Sequence, residues 1–270
     1  VENIAVVGQV ARDLVLLVPH LPEEGSSVPV RERRELPGGQ GFGVASAAGR
    51  LGARATLVGV VGGDTVGDWL VEKARSDGIR VDHVVRREDS LSALVVNVVD
   101  DDERWRCLED VPDGTLVTPG DVSAAGDALS RADAVVVQLR QPAETALAAA
   151  GCANGLVVLD GAPSGYRDRI LAAADVVRLN RHDAESLGGR TVDSVAAAAR
   201  VAGEVLARGP RLVAVTAPEA TVFAHPDGAV VAPLHGDESE FLAALTLTTL
   251  RGLPVEEAAH VAVRAGARAA

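Results

Sequence analysis

At 270 residues and 47% hydrophobic side chains, the chain has the length for one large α/β domain with an excursion or for two small domains, and it can bury a sizeable core. Its formal charge of −12 weighs against nucleic acid and anionic membrane as partners, yet leaves room for phosphate ligands held by backbone amides. No apolar run reaches transmembrane length, no charged-then-apolar leader opens the chain, and Cys107 and Cys152 lack metal or CxxC spacing, so a cytoplasmic protein with reduced thiols is expected.

Residues 3–7 form an apolar run closed by Gly8, the profile of a buried strand, and residues 14–18 read as a second strand just after Asp13. Residues 19–35 are charged and carry no helical period. Then comes L-P-G-G-Q-G-F-G-V-A-S-A-A-G-R-L-G-A over 36–53, where four glycines precede small apolar residues at helical spacing. Such a loop lets backbone approach a ligand and presents the free N–H groups of a helix start. Residues 55–61 read as a buried strand and 65–77 as an amphipathic helix stopped by Gly78. A strand over 94–99 and a hairpin-like polar segment to Thr118 follow.

From Asp121 onward the pattern alternates. A helix over 121–131 leads to a strand over 134–139, a helix over 143–150 to a strand over 156–159, then come a strand over 176–179, a helix over 194–207 and a strand over 212–216. That alternation implies βαβ units and a parallel sheet covered on both faces. Segments 9–35 and 85–117 fall outside it and are expected to form a small β lid. Two Ala-rich helices, 239–251 and 255–267, end the chain. Asp64, Asp160, Asn180 and Thr216 stand at strand ends, where ligands gather in such sheets.

Several chemistries have no motif here. The glycine loop is not G-x-G-x-x-G and follows the first strand by some thirty residues, which weighs against a dinucleotide site. No Walker phosphate loop, H-R-D/D-F-G kinase set, H-E-x-x-H or G-x-S-x-G occurs.

Four stretches together resemble the ribokinase, or PfkB, family of sugar kinases. They are Gly8 to Asp13 as G-x-x-x-x-D, the glycine signature P-G-G-Q-G-F-G-V-A, V-V-L-D-G-A-P at 157–163, and A-D-V-V-R-L-N-R-H-D-A-E at 174–185. The resemblance runs in the same order over nearly the whole chain. It implies a single ribokinase-like α/β domain over 1–270, with a central mostly parallel sheet, flanking helices and a small β lid. It also implies ATP- and Mg²⁺-dependent phosphorylation of a hydroxymethyl group of a sugar. Asp13, Gly38, Gly39, Gln40 and Gly43 would then meet the sugar. Asn180, Asp183, Thr216 and Gly236 would face the nucleotide, with Asp183 toward the metal. A homodimer paired through the lid is expected, since lid strands need a partner for their open face and edge.

The sequence departs from the family pattern at five places: Asp183 stands for a more usual Glu, the usual glycines are missing from A-P-E-A-T after Thr216, and three further departures follow. Gly43 stands where the family usually has Asn. Arg140 replaces a frequent Glu, and reads either as a surface ion pair or as a contact for an acidic or phosphorylated substrate. The second signature, G-A-G-D opening a helix, is replaced by L-H-G-D-E-S-E-F before the last helices. Gly236 and Asp237 are its nearest survivors, which makes Asp237 the candidate base. A nucleoside kinase of the same fold, and a member that binds sugar without transferring phosphate, remain as alternatives.

Overall fold

The computed structural model describes residues 1–102 and 104–269. In chain order the elements begin with β1 (Asn3–Val7), β2 (Ala11–Leu17), β3 (Glu32–Gly38), α1 (Gln40–Arg50), β4 (Arg54–Gly62), α2 (Thr65–Ser76), β5 (Arg80–Arg87), β6 (Ala93–Val99) and β7 (Trp105–Asp110). They continue with α3 (Pro119–Ala124), α4 (Gly126–Ser130), β8 (Ala134–Gln138), α5 (Ala143–Cys152), β9 (Leu156–Asp160), α6 (Arg167–Ala172), β10 (Val176–Leu179), α7 (Arg181–Gly188) and α8 (Val195–Leu206). The chain closes with β11 (Leu212–Thr216), β12 (Thr221–His225), β13 (Gly228–Ala232), α9 (Glu238–Leu250) and α10 (Val255–Ala269).

Nine strands make the central sheet in the order β13-β12-β11-β10-β9-β8-β1-β4-β5. All neighbours are parallel except β11–β12 and β12–β13, the hairpin at one edge. Period-two alternation divides each strand between two cores. Ala5 and Val7 of β1 pack with Leu129, Ala146, Val201 and Val205 on one face. Ile4 and Val6 pack with Ala45, Leu70, Phe241 and Ala262 on the other. The apolar strands are buried because helices cover both sides, the arrangement that parallel pairing with crossover helices produces.

The lid is a separate four-stranded sheet in the order β3-β2-β6-β7. Its register aligns Leu36, Asp13, Val95 and Glu109 in one cross-strand row, and Glu35, Leu14, Val96 and Leu108 in the next. The first row carries Asp13 and Glu109 toward the cleft; the second faces away from it.

The second strand, expected over 14–18 just after Asp13, is β2 over Ala11–Leu17 and contains Asp13, and three further boundaries differ from the sequence expectation. Residues 80–87 were expected partly within the lid, but β5 pairs parallel with β4 and extends the central sheet, so the second lid segment starts at Ala93. The helix expected over 121–131 is two short helices meeting at Ala125, the first opened by Pro119 and a capping box between Thr118 and Asp121. The first lid segment does not stop at Glu35: β3 runs through Pro37 to Gly38, which pairs with Ala11 and so delivers the glycine loop directly from a lid strand.

Candidate functional site

The cleft lies beneath the lid, at the carboxyl ends of β1, β8, β9 and β10. It consists of two cavities that share Gln40 and Arg140. The smaller, about 300 Å³, is lined by Asp13, Gly38, Gly39, Gly43, Asp237 and Ser239 among others. The larger, about 650 Å³, is lined by Trp105, Asp160, Arg178, Asn180, Asp183 and Glu238 among others. The second is about twice the volume of the first.

The glycine loop shapes the smaller cavity. Gly39 takes φ +80°, and a Cβ there would stand 2.7 Å from the Gln9 carbonyl oxygen, so only glycine turns the chain from β3 into α1. A Cβ at Gly38 would collide with the carboxyl of Asp13. Asp13 consequently lies against bare backbone, with Oδ1 buried and without a hydrogen-bond partner. Burial pushes its pKa up to about 6, against the pull of the Gly39 N–H. An orphaned carboxylate oxygen in a small polar cavity is a ready acceptor for ligand hydroxyls.

Across the cavity, Asp237 is the N-cap of α9, its Oδ1 accepting from the Glu240 N–H at 2.8 Å. One carboxylate oxygen is thus engaged in capping while the residue still lines the cavity. Ser239 sits in the first turn, its hydroxyl pressed against Gly43 of α1. Arg140 forms a two-pronged pair with Glu109 of β7, both contacts 2.7 Å. The surface ion pair is therefore what this side chain makes, and it ties the lid to the loop after β8.

The larger cavity is organised by Arg178, a charge inside the otherwise apolar β10 and only 2% exposed. Its register partner on β9 is Asp160, and Nη1 donates to Asp160 Oδ1 at 3.1 Å. Its Nη2 makes an ion contact with Glu238, the first residue of α9. Burial raises the pKa of Asp160 and of Asp183, whereas Glu238 is held below the ordinary carboxylate range by Arg178 against its own desolvation. Asn180 caps α7, its Oδ1 accepting from the Asp183 N–H at 2.8 Å, and both residues line the cavity. Among the described residues no three His, Cys, Asp or Glu side chains are grouped to hold a metal ion; Asp183 and the Asn180 carboxamide carry the hard oxygen atoms that suit Mg²⁺ chemistry.

Of the residues expected at the site, Asp13, Gly38, Gly39, Gln40, Gly43, Arg140, Asn180, Asp183 and Asp237 all line one or both cavities. Thr216 and Gly236 do not line either one; Thr216 ends β11, one strand beyond Arg178, with a buried, unpartnered hydroxyl. Asp64 is structural: it caps α2 through the Gly67 N–H at 2.7 Å and accepts from the Ser92 hydroxyl at 2.6 Å, joining α2 to the base of β6. Sequence reasoning passed over Arg178, Glu238, Ser239 and Trp105. Arg178 had a visible signal, since a charge within a buried apolar strand must find a partner in space. Glu238 and Ser239 had none: a helix start near 239 was legible, but which cavity its first turn meets follows only from the docking of α9 on the sheet.

A polar cleft at the carboxyl ends of a parallel sheet, roofed by a second sheet that contributes a carboxylate, defines a small-molecule-binding protein of the doubly wound α/β class. Comparison with known proteins narrows the class. Residues 1–233 match the model of the pfkB family carbohydrate kinases, and the chain belongs to that family. It is 26% identical over 227 residues to the ribokinase of Haemophilus influenzae, covering 82% of this chain and 74% of that one. With the ribokinase of Bacillus subtilis it shares 30% identity over 157 residues, 53% of this chain and only 49% of the relative's length. The fold superposes on Arabidopsis thaliana ribokinase complexed with ribose and ATP at a TM-score of 0.79 and 18% identity, covering 98% and 91% of the two chains.

Proposed function

We propose that this chain transfers a phosphoryl group from ATP to a hydroxymethyl group of a sugar. The observation that carries the reading is the orphaned, buried carboxylate oxygen of Asp13 in a cavity of sugar size that opens on a larger one through Gln40 and Arg140. Asp13 accepts sugar hydroxyls and the Gly38–Gly39 backbone lies flat against the ring, fixing which hydroxyl points toward α9. The Asp237 oxygen not used in capping takes the proton of the attacking hydroxyl. The first-turn amides of Glu238 and Ser239, which have no intrahelical partner, would stabilise the phosphoryl charge as it builds up. Asn180 and Asp183 would hold Mg²⁺, which supplies charge neutralisation at the phosphates when bound.

The experiment is ADP release from Mg-ATP across a panel of pentoses, hexoses and nucleosides. Sugar-dependent ADP supports transfer, and a nucleoside-only response selects the nucleoside kinase reading. One observation favours a second reading, a member that binds sugar without transferring phosphate. The carboxylate of Glu238 already sits against Arg178 at the head of α9, where the family's glycine-rich signature would leave room. Sugar binding by calorimetry with no ADP release from any acceptor would select that reading.

A further inference from the structure

Arg178 is oversupplied with donors and its surroundings are oversupplied with negative charge. Nε is buried and makes no hydrogen bond, Nη1 meets Asp160, and Nη2 meets Glu238. The groups facing it from neighbouring elements are Asp160 of β9, Asp183 of α7, Glu238 of α9 and His235 ahead of α9. Asp160 is 4% exposed and fixed in the sheet register, so it cannot leave. Glu238 differs: its side chain is 43% exposed, it stands at the cavity wall, and among the described residues its one other polar tie is a 3.4 Å hydrogen bond from Gln40. A carboxylate at the first position of a thirteen-residue helix lies in the positive field of that helix end, next to amides with no intrahelical partner. The chain's own side chain therefore holds the place that an external oxyanion would take.

We propose that Arg178 and the first turn of α9 form an anion site whose resident occupant is Glu238, and that a phosphoryl oxyanion binds by displacing that carboxylate. Arg178 then exchanges one anionic partner for another and keeps Asp160 throughout, so no charge is left buried and unpaired during the exchange. The unpartnered Nε gives the incoming group a second donor on the same planar fork, which a phosphoryl group accepts and the single Glu238 contact does not use. Glu238 competes with the ligand, which makes it a brake on anion binding. The anion chemistry stands on Arg178 alone; assigning the oxyanion to a nucleotide rests on the kinase reading.

The test is calorimetric titration of the full chain with pyrophosphate, without metal, sugar or turnover, so that a failed kinase assay leaves its result intact. Ribose 5-phosphate is titrated in parallel to separate a polyphosphate from a phosphosugar as the source of the oxyanion. Glu238→Gln removes the competing charge at constant shape, and the expected result is at least about tenfold tighter binding of one of the two anions. Glu72→Gln, on the outer face of α2, removes the same unit of net charge away from the cleft and is expected to change affinity less than about twofold. Glu238→Ala, titrated in the same way, replaces the Gln variant if the latter melts below the assay temperature. Binding to the Glu238 variant no tighter than to the unsubstituted chain overturns the proposal, as does an equal gain in Glu72→Gln.

Discussion

Asp13 of β2 and Gly38 of β3 are packed so closely across the lid ladder that the carboxyl of one occupies the space a Cβ on the other would need. The pair joins the first lid strand to the glycine loop and leaves Asp13 lining the smaller cavity, its buried Oδ1 without a partner. Gly38→Ala must push the carboxylate away or open the ladder, an overpacking cost of about 1–3 kcal/mol. Expected results are a lower Tm and a sugar affinity lost together. A folded Gly38→Ala protein with unchanged sugar binding would show that Asp13 does not read the sugar from this position.

Asp13→Asn should stabilise the protein while weakening it as a catalyst. The carboxyl's pKa is pushed up to about 6 in the fold, above its unfolded value, so the protonated form is the one that burial favours. Its favourable contribution is fully present below the unfolded pKa, near 4, and is lost as pH rises through about 6. At neutral pH the ionised, half-buried group costs about 1–2 kcal/mol after allowance for its exposure, and the neutral amide removes that cost. Thermal unfolding across pH 4 to 8 checks the sign: the Asn variant should gain most over the parent above pH 6. Sugar KM should rise in the variant, and the loss of sugar affinity that the parent shows on acidification through pH 6 should vanish.

The architecture was legible because its signals are local. Short apolar runs, a glycine loop ahead of small residues at helical spacing, and strand-end acids all specify their own surroundings. β5 was obscure because R-V-D-H-V-V-R-R carries charges at both ends (Arg80, Asp82, Arg86, Arg87), a composition that suits either an edge of the main sheet or a lid strand; only its pairing with β4 decides. The edge hairpin β12–β13 was missed for a similar reason, with P-D-G-A giving a turn but no indication of which strand it returns to. At the site, Asp13 and the glycines were expected from the resemblance of G-x-x-x-x-D and the glycine signature to the sugar-kinase family. The Arg178–Glu238 contact joins residues sixty positions apart, and its geometry exists only once α9 has docked on the sheet.

Gly43 and Ser239 bring α1 and α9 into contact at the cavity floor. A Cβ at 43 would strike the Ser239 hydroxyl, so Gly43→Ala should destabilise by roughly 1 kcal/mol net, the clash outweighing the helix-propensity gain. Adding Ser239→Gly should recover most of that loss, a non-additivity that a double-mutant cycle of melting or denaturant midpoints reads directly. Additive effects would contradict the close contact between the two helices.

The lid presents an uncovered apolar row. Leu14, Val96 and Leu108 lie side by side on the face turned from the cleft, with Leu108 63% exposed, while among the described residues β3 and β7 leave both sheet edges unpaired. A homodimer through this face is the proposed assembly. Sedimentation should give twice the 27.7 kDa chain mass at micromolar concentration, and Leu108→Lys should shift it to monomer with the fold intact. A monomeric parent protein would contradict it.

The central claim is tested most directly by sugar-dependent ADP release from Mg-ATP, measured for the parent chain and for Asp237→Asn. Asn caps a helix about as well as Asp, so the substitution should leave Tm and sugar binding nearly unchanged. The account predicts ADP release that requires a sugar acceptor and falls roughly a hundredfold or more in kcat in the variant. Sugar binding without ADP release in the parent chain, or equal rates in parent and variant, would contradict it.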